Sequence, residues 1–261
     1  LPLPANPVKR FAAELTRNAL PLASLEREFR CVVVQDNRKP LQTAAEPIRR
    51  RKAMTAPEQP QIYLISPPVI DLQRFPEVLA RVLDGADIAC IRLALASRDE
   101  DTVLRSADAL REVAHARDVA LVIADHLLMA QRLGLDGVHL GDAARSVRAA
   151  RKALGPDAIV GAFCAASRHD GITAGEAGAD YVSFGPIGAS ALGDGATAGD
   201  DLFQWWSEMI EVPVVAEGGL NPEAVARLAP ITDFFAIGEE IWGADDPLAA
   251  LRALTAAIGR A

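Results

Sequence analysis

The sequence predicts one (β/α)8 TIM barrel over residues 61–261, and three observations carry the prediction. Short β-rich apolar runs alternate eight times with longer segments of helical period, the alternation that builds a parallel sheet covered by helices. The eight units fit into about 200 residues, the span of a minimal barrel with short loops. Two late strands end in glycine, at Gly185-Pro186-Ile187 and at Gly218-Gly219-Leu220, where a backbone can come close to a ligand. The last loops of such a barrel are where phosphate is held, so these strand ends are candidate binding positions.

In chain order, the strands are expected at 62–66, 88–93, 120–125, 137–140, 159–164, 181–185, 213–217 and 234–238. Most are nearly continuous apolar runs, as parallel strands covered on both faces require. Between them, apolar residues at spacings of three and four predict helices over 75–83 and 101–116, and a last helix over 247–258 closes the chain. Asn221-Pro222 reads as the cap and first-turn proline of the helix after the seventh strand.

Residues 1–60 fit no unit of this pattern. They hold a helical pattern from 8 to 20, an apolar run at 31–34, and a polar stretch with Arg49-Arg50-Arg51-Lys52. The chain opens on Leu1, and Met54 stands just ahead of the first barrel strand; the expectation is a native start at Met54 behind an upstream extension. The alternative is a disordered basic tail. Glu14, Glu26 and Glu28 argue against an organellar transit peptide, which is poor in acidic residues.

Charge and composition narrow the function. Residues 1–60 carry 11 Lys+Arg against 6 Asp+Glu, and residues 61–261 carry 16 against 29. An acidic barrel is a poor nucleic-acid binder, because counterion release needs a basic face; a local basic pocket for a small anion stays open. Lys152 is the sole lysine after residue 60 and lies in a helical pattern. Schiff-base chemistry needs a desolvated lysine in the barrel mouth, and none is available. Cys31, Cys90 and Cys164 are odd in number and show no metal-ligand spacing, which points to a reducing compartment, with cytoplasm as the default. No apolar run reaches the roughly 18 residues of a membrane span. The sequence fixes no oligomeric state.

The chain resembles the thiamine-phosphate synthase and thiazole tautomerase superfamily of (β/α)8 barrels. The resemblance covers about 61–260 and rests on Ile62-Tyr63-Leu64-Ile65-Ser66, Ile91-Arg92, the stretch Gly134-Leu135-Asp136-Gly137-Val138-His139-Leu140-Gly141, Gly185-Pro186-Ile187, and Pro213-Val214-Val215-Ala216 with Gly218-Gly219. The Gly-Leu-Asp-Gly-Val-His-Leu-Gly stretch is specific, whereas a Gly-Gly pair is shared by many phosphate-binding barrels. The resemblance implies an enzyme of thiamine biosynthesis that joins a pyrimidine pyrophosphate to a thiazole phosphate, with Mg²⁺ neutralising the leaving pyrophosphate. It further implies Arg92 on the pyrophosphate, Asp125 on Mg²⁺, and Gly218 and Gly219 on the thiazole phosphate through their N–H groups, with Gly185 and Ser190 in the same anion clamp. Partners are then small phosphorylated substrates.

Departures from the family pattern are chemically directed. Where the family has Gln-Leu-Arg-X-Lys, this chain reads Cys90-Ile91-Arg92-Leu93-Ala94; an Asn-Asp pair becomes Ala124-Asp125, and the second metal aspartate becomes Ala144, with Asp142 close by. Phe163 replaces a hydroxyl, Ser190 is the one hydroxyl kept in the loop after Gly185, and Ala165 stands where a tautomerase has its histidine. Glu239 aligns with a phosphate-binding serine. A carboxylate about 4 Å from a phosphate costs several kcal/mol at an effective dielectric near 20, so either the ligand is not that phosphate or Glu239 points elsewhere.

Each candidate has a plainer reading. By alternation Arg92 shares a face with Cys90 and Ala94, so it binds an anion or forms an internal ion pair with Glu217 or Glu239. Asp125 is a metal ligand or a helix N-cap. His126 and His169, with Asp125 and Cys164, are a substitute acid/base set or loop histidines and a buried thiol. Gly218 and Gly219 hold an anion at the following helix or make a tight turn. His139 and Cys90 are assigned to barrel packing, His115 to a helix C-terminus, and Phe203, Trp205 and Trp206 to helix-on-barrel packing. Two functions follow: a divergent thiamine-phosphate-synthase-type enzyme, or a repurposed barrel that binds a small phosphorylated ligand without catalysis.

Overall fold

The computed structural model describes residues 59–193 and 195–258. The expectations for residues 1–58, Met54 among them, lie outside these. Eight parallel strands close into a barrel in the order β1 to β8: β1 (Gln61–Ile65), β2 (Ile88–Leu93), β3 (Ala120–Ala124), β4 (Gly137–Leu140), β5 (Ile159–Phe163), β6 (Tyr181–Phe184), β7 (Val214–Glu217) and β8 (Phe234–Ile237). Every expected strand is present. Closure comes from β1 pairing with β8, Gln61 opposite Phe234 and Leu64 opposite Ile237.

The helices are α1 (Phe75–Gly85), α2 (Glu100–His115), α3 (Leu127–Leu133), α4 (Val147–Leu154), α5 (Arg168–Glu176), α6 (Asp200–Met209), α7 (Pro222–Leu228), α8 (Glu239–Trp242) and α9 (Pro247–Thr255). Several of their starts carry side-chain caps. Asp99 accepts from Thr102 N ahead of α2, Asn221 from Ala224 N ahead of α7 with Pro222 next, and Asp246 from Leu248 N and Ala249 N ahead of α9.

Strand alternation sends one set of side chains outward and the other inward. Leu64, Ile91, Leu121, Val138, Val160, Val182, Ala216 and Phe235 join the helices in the outer core. Phe184, Phe203 and Trp206 pack edge to face there, and the Trp206 indole N–H donates to Val212 O at 2.7 Å; helix-on-barrel packing is what this cluster does. Tyr63, Cys90, Val122, Tyr181, Val215 and Phe234 fill the inside. A Cβ on Gly161 would lie 2.1 Å from the Tyr181 ring, so β5 carries a glycine to admit that ring. Tyr63 and Tyr181 hydroxyls meet at 2.7 Å, and His139 Nδ1 lies 3.0 Å from the Tyr181 hydroxyl. Burial holds the His139 pKa well below its ordinary value, so the ring is neutral packing, as is the buried Cys90 thiol.

Three aspartates tie neighbouring strands at the barrel's N-terminal face. Asp136, just before β4, accepts Leu121 N of β3 at 2.7 Å; Asp180, before β6, accepts Val160 N of β5 at 2.7 Å; Asp233, before β8, accepts Val214 N of β7 at 2.8 Å. Each sits where a strand is about to begin, in Leu135-Asp136-Gly137, Ala179-Asp180-Tyr181 and Thr232-Asp233-Phe234. Asp136 also takes His115 Nε2 at 2.7 Å, which adds an ion-pair partner to the helix-end role expected of that histidine. Asp136→Ala orphans the buried Leu121 N–H and is expected to cost about 2–3 kcal/mol, whereas Asp136→Asn, which keeps an acceptor, costs less. Urea unfolding of the two variants measures the difference.

Candidate functional site

The C-terminal ends of β1, β2, β7 and β8 open on a cavity of about 540 Å³ lined by Arg92, Ser190, Gly218, Glu239 and Glu240 among others. The end of β1 is fixed by two contacts. Ser66 Oγ accepts Ala94 N at 3.0 Å, and the Trp242 indole N–H donates to Ile65 O at 2.6 Å. Trp242 itself packs against Phe75 of α1 with ring centroids 5.0 Å apart. The short helix α8 therefore forms one wall of the cavity.

Arg92 points inward, as its alternation with Ile91 and Leu93 predicts, and is 6% exposed. Its Nη2 donates to Glu217 Oε2 of β7 at 2.5 Å, and Glu217 Oε1 accepts the Ser183 hydroxyl at 3.0 Å. The guanidinium carbon lies 5.7 Å from the Tyr63 ring centroid. Burial alone would lower the Arg92 pKa, yet the Glu217 carboxylate, with Tyr63 and Tyr181, leaves it raised. The internal ion pair is thus present, with Glu217 as partner. Arg92 Nε is buried without a hydrogen-bond partner, so the same side chain keeps one donor uncommitted beside the cavity, and a buried polar group without a partner is costly.

The two glycine-bearing strand ends are zipped backbone to backbone. Ile187 N donates to Gly218 O at 2.8 Å and Gly188 N to the same oxygen at 3.1 Å. Gly218 and Gly219 have φ of +82° and +67°, so the tight turn is real. A Cβ on Gly185 would stand 2.2 Å from Glu217 O, and one on Gly219 2.6 Å from the Gly188 carbonyl carbon. Gly185 and Gly219 therefore support the wall from behind, and Gly218 reaches the cavity.

Glu239, the residue in the serine position, turns to Ser190 and accepts its hydroxyl at 2.7 Å. Its neighbour Glu240 spans the ends of β7 and β8: Oε1 accepts Leu220 N at 3.0 Å and Oε2 accepts Gly238 N at 2.8 Å. Sequence reasoning missed Glu240. The signal was there, since two consecutive carboxylates, Glu239 and Glu240, stand one glycine beyond the apolar run 234–237, at a strand end that opens on the barrel mouth.

The remaining candidates stand elsewhere on the C-terminal face. Asp125, with φ +56°, has its Oδ1 accepting Gly141 N at 2.7 Å, so it braces the ends of β3 and β4. The N-cap position of α3 is His126, not Asp125, and makes no side-chain cap bond. Asp125 and His126 line a groove with Arg98, Glu100 and Arg132, whereas Cys164 and His169 line another with Asp142 and Asp170. The four-residue acid/base set drawn from the sequence is therefore split between two grooves, and burial pushes the Cys164 thiol up to about 12. Among the described residues no three His, Cys, Asp or Glu side chains converge as a metal cage. A lone carboxylate such as Asp125 would suit Mg²⁺ only if water and substrate phosphate oxygens supplied most of the ligands.

A buried cation, a hydroxyl and glycine backbone stand at the C-terminal strand ends of a closed eight-stranded barrel, the face on which barrels of this class build their active sites. A family model described as thiamine monophosphate synthase matches residues 62–240. The chain is 42% identical over 184 residues to a thiamine-phosphate synthase of Rhodospirillum centenum, covering 70% of this chain and 89% of that protein. A thiamine-phosphate synthase of Erythrobacter litoralis is 39% identical over 193 residues, 71% of this chain and 90% of that protein. The chain belongs to the thiamine monophosphate synthase family. Its fold matches a thiamine phosphate pyrophosphorylase from Pyrococcus furiosus with a TM-score of 0.67 at 23% identity, over 77% of this chain and 96% of that one.

Proposed function

We propose that this protein transfers a pyrimidine group from its pyrophosphate to a thiazole, the phosphate ester being the acceptor in the family's own reaction. The observation that carries this reading is the convergence of Arg92, Ser190 and Gly218 on one cavity of a chain that belongs to the family. In the transfer, the bond from the pyrimidine's carbinyl carbon to the pyrophosphate oxygen breaks and pyrophosphate leaves with the electron pair. The thiazole ring nitrogen then gives its lone pair to that carbon. No redox partner is needed. Arg92 places a fixed positive charge, held by Glu217, near the departing oxygens, and Gly218 closes the cavity beside the acceptor. Asp125 would hold Mg²⁺, whose contribution is to neutralise pyrophosphate charge. Small phosphorylated molecules as ligands and a cytoplasmic setting belong to the same reading. No helix among the described residues is long and apolar enough to cross a membrane.

The test is a synthesis assay on the full chain with Mg²⁺ and both precursors, against Asp125→Asn. That variant keeps an acceptor for Gly141 N, so the fold is retained while the metal loses its carboxylate. The expected outcome is product from the parent and a fall of at least about tenfold in kcat/KM for the variant. Absence of product from folded parent protein favours the second reading, a repurposed barrel that binds without catalysis, to which the carboxylates Glu239 and Glu240 in the mouth lend support. Titration with pyrophosphate, with and without Mg²⁺, then separates a retained anion clamp from a lost one.

A further inference from the structure

We propose that Arg98, in the loop after β2, binds the leaving pyrophosphate and supplies the positive charge that Ala94, just beyond the same strand, does not. The inference rests on the transfer reading and adds a residue to it. Arg92 is already met by Glu217 behind it, and the metal candidate Asp125 is itself acidic, so a polyanion at these strand ends meets little uncompensated positive charge from the barrel. Stabilising a departing pyrophosphate requires such charge in a fixed place. The loop from Ala94 to Asp99 offers it. Ala94 lines the cavity beside Arg92, and Arg98 lines the groove of about 610 Å³ that Asp125 and His126 also line. One loop thus runs from the Arg92 cavity to the Asp125 groove.

The carboxylates that follow Arg98 in the chain are committed elsewhere. Asp99 accepts Thr102 N at 2.8 Å and the Thr102 hydroxyl at 2.5 Å as the cap of α2. Glu100 accepts Arg132 Nη1 at 2.6 Å, which occupies the other arginine of the groove. Arg98 itself is exposed and has no hydrogen-bond or ion-pair partner among the described residues. The backbone beneath it is held: Ala94 N donates to Ser66 Oγ at 3.0 Å, Ala96 N to Pro68 O at 2.9 Å and Asp99 N to Ser97 Oγ at 3.2 Å. A fixed backbone under a free guanidinium limits the ordering cost of binding, and the planar fork can take two oxygens of one phosphate. His126, whose side chain makes no cap bond, adds a donor from the end of β3, but Arg98 is the one charged at every working pH. An unpaired surface arginine is ordinarily a solvated charge; Arg98 differs in facing the groove of the metal candidate from an anchored loop.

The experiment uses the full chain with Arg98→Ala, Arg98→Lys, and Arg98→Ala combined with Ala94→Lys. Arg105→Ala is the control, since Arg105 of α2 is exposed and donates to Asp101 O at 3.3 Å, and its loss removes one positive charge outside the groove. Inorganic pyrophosphate is titrated calorimetrically with and without Mg²⁺, beside kcat and KM for the pyrimidine pyrophosphate. Arg98→Ala is expected to lose about tenfold in pyrophosphate affinity and about as much in kcat/KM, the contribution of one charge-assisted hydrogen bond. Arg98→Lys keeps most of both, the added Ala94→Lys restores them, and Arg105→Ala changes neither. Unchanged pyrophosphate affinity in Arg98→Ala, or an equal loss in Arg105→Ala, would overturn the inference. A parent that makes no product yet loses pyrophosphate binding on Arg98→Ala upholds the inference while the transfer reading falls. A parent that makes product, with Arg98→Ala equally fast, leaves the transfer reading standing and removes this one. A parent that binds no pyrophosphate, with or without Mg²⁺, also overturns it. Should the Ala94→Lys variant not fold, the contrast between Arg98→Ala and Arg98→Lys decides.

Discussion

Arg92→Met is expected to destabilise the barrel by about 3–5 kcal/mol, because it strands Glu217 as an uncompensated charge in the interior. Glu217 has no measurable exposure, and its other oxygen has only the Ser183 hydroxyl for company. For a chain of this size each kcal/mol moves the thermal midpoint by about 2–4 °C, so a fall of roughly 10 °C is the observable. Glu217→Leu is expected to do comparable damage by stranding Arg92. The double variant Arg92→Met/Glu217→Leu should recover most of the loss, since a buried pair exchanged for apolar side chains of similar volume is often neutral or better. Its activity then separates the two readings of Arg92. A stable double variant without synthesis makes Arg92 a ligand-binding group held by Glu217, and one that retains synthesis makes the pair structural. Single variants that lose less than about 1 kcal/mol would mean that water reaches the pair and that the charge is not truly buried.

How much of this was legible in the sequence depends on how local the cause is. The strands could be read almost to the residue, because near-continuous apolar runs of this length have no other reading in an alternating α/β pattern. The inward aim of Arg92 followed from its parity with Cys90 and Ala94. Its partner did not follow, because Glu217 and Glu239 both lie at late strand ends on neighbouring elements, and one residue of offset decides which faces inward. Glu217 is the last residue of β7 and stays inside the barrel, whereas Glu239 lies beyond Gly238 and turns to Ser190. Asp125 was harder still. Its left-handed backbone re-aims the carboxylate from the following helix to Gly141 N, a contact between two strand ends that no spacing rule encodes. Glu240 escaped because its partners are backbone N–H groups, so the carboxylate pair at 239–240 was visible in the sequence but what Glu240 binds was not.

The wall between the sixth and seventh strands should be the least forgiving part of the site, and Gly219→Ala tests it. Gly219 combines a left-handed φ with contact on the Gly188 carbonyl carbon and on Ala189 O at 2.8 Å from a built Cβ. Neither neighbour is a flexible side-chain end, so the methyl must push two backbones apart and break the bonds from Ile187 N and Gly188 N to Gly218 O. Backbone strain and overpacking each contribute about 1–3 kcal/mol, so a loss of about 3–5 kcal/mol is expected. Gly134→Ala is the control, because Gly134 has φ +61° with nothing within 4 Å of its built Cβ. It should lose only the left-handed term, about 1–2 kcal/mol. Urea denaturation of both variants reads the contrast. Equal losses would show that close backbone approach adds nothing, and that these glycines serve a turn rather than a zipped wall. A larger loss for Gly219→Ala, with the cavity's ligand affinity reduced in the surviving folded fraction, would tie the packing of the two loops to the shape of the mouth.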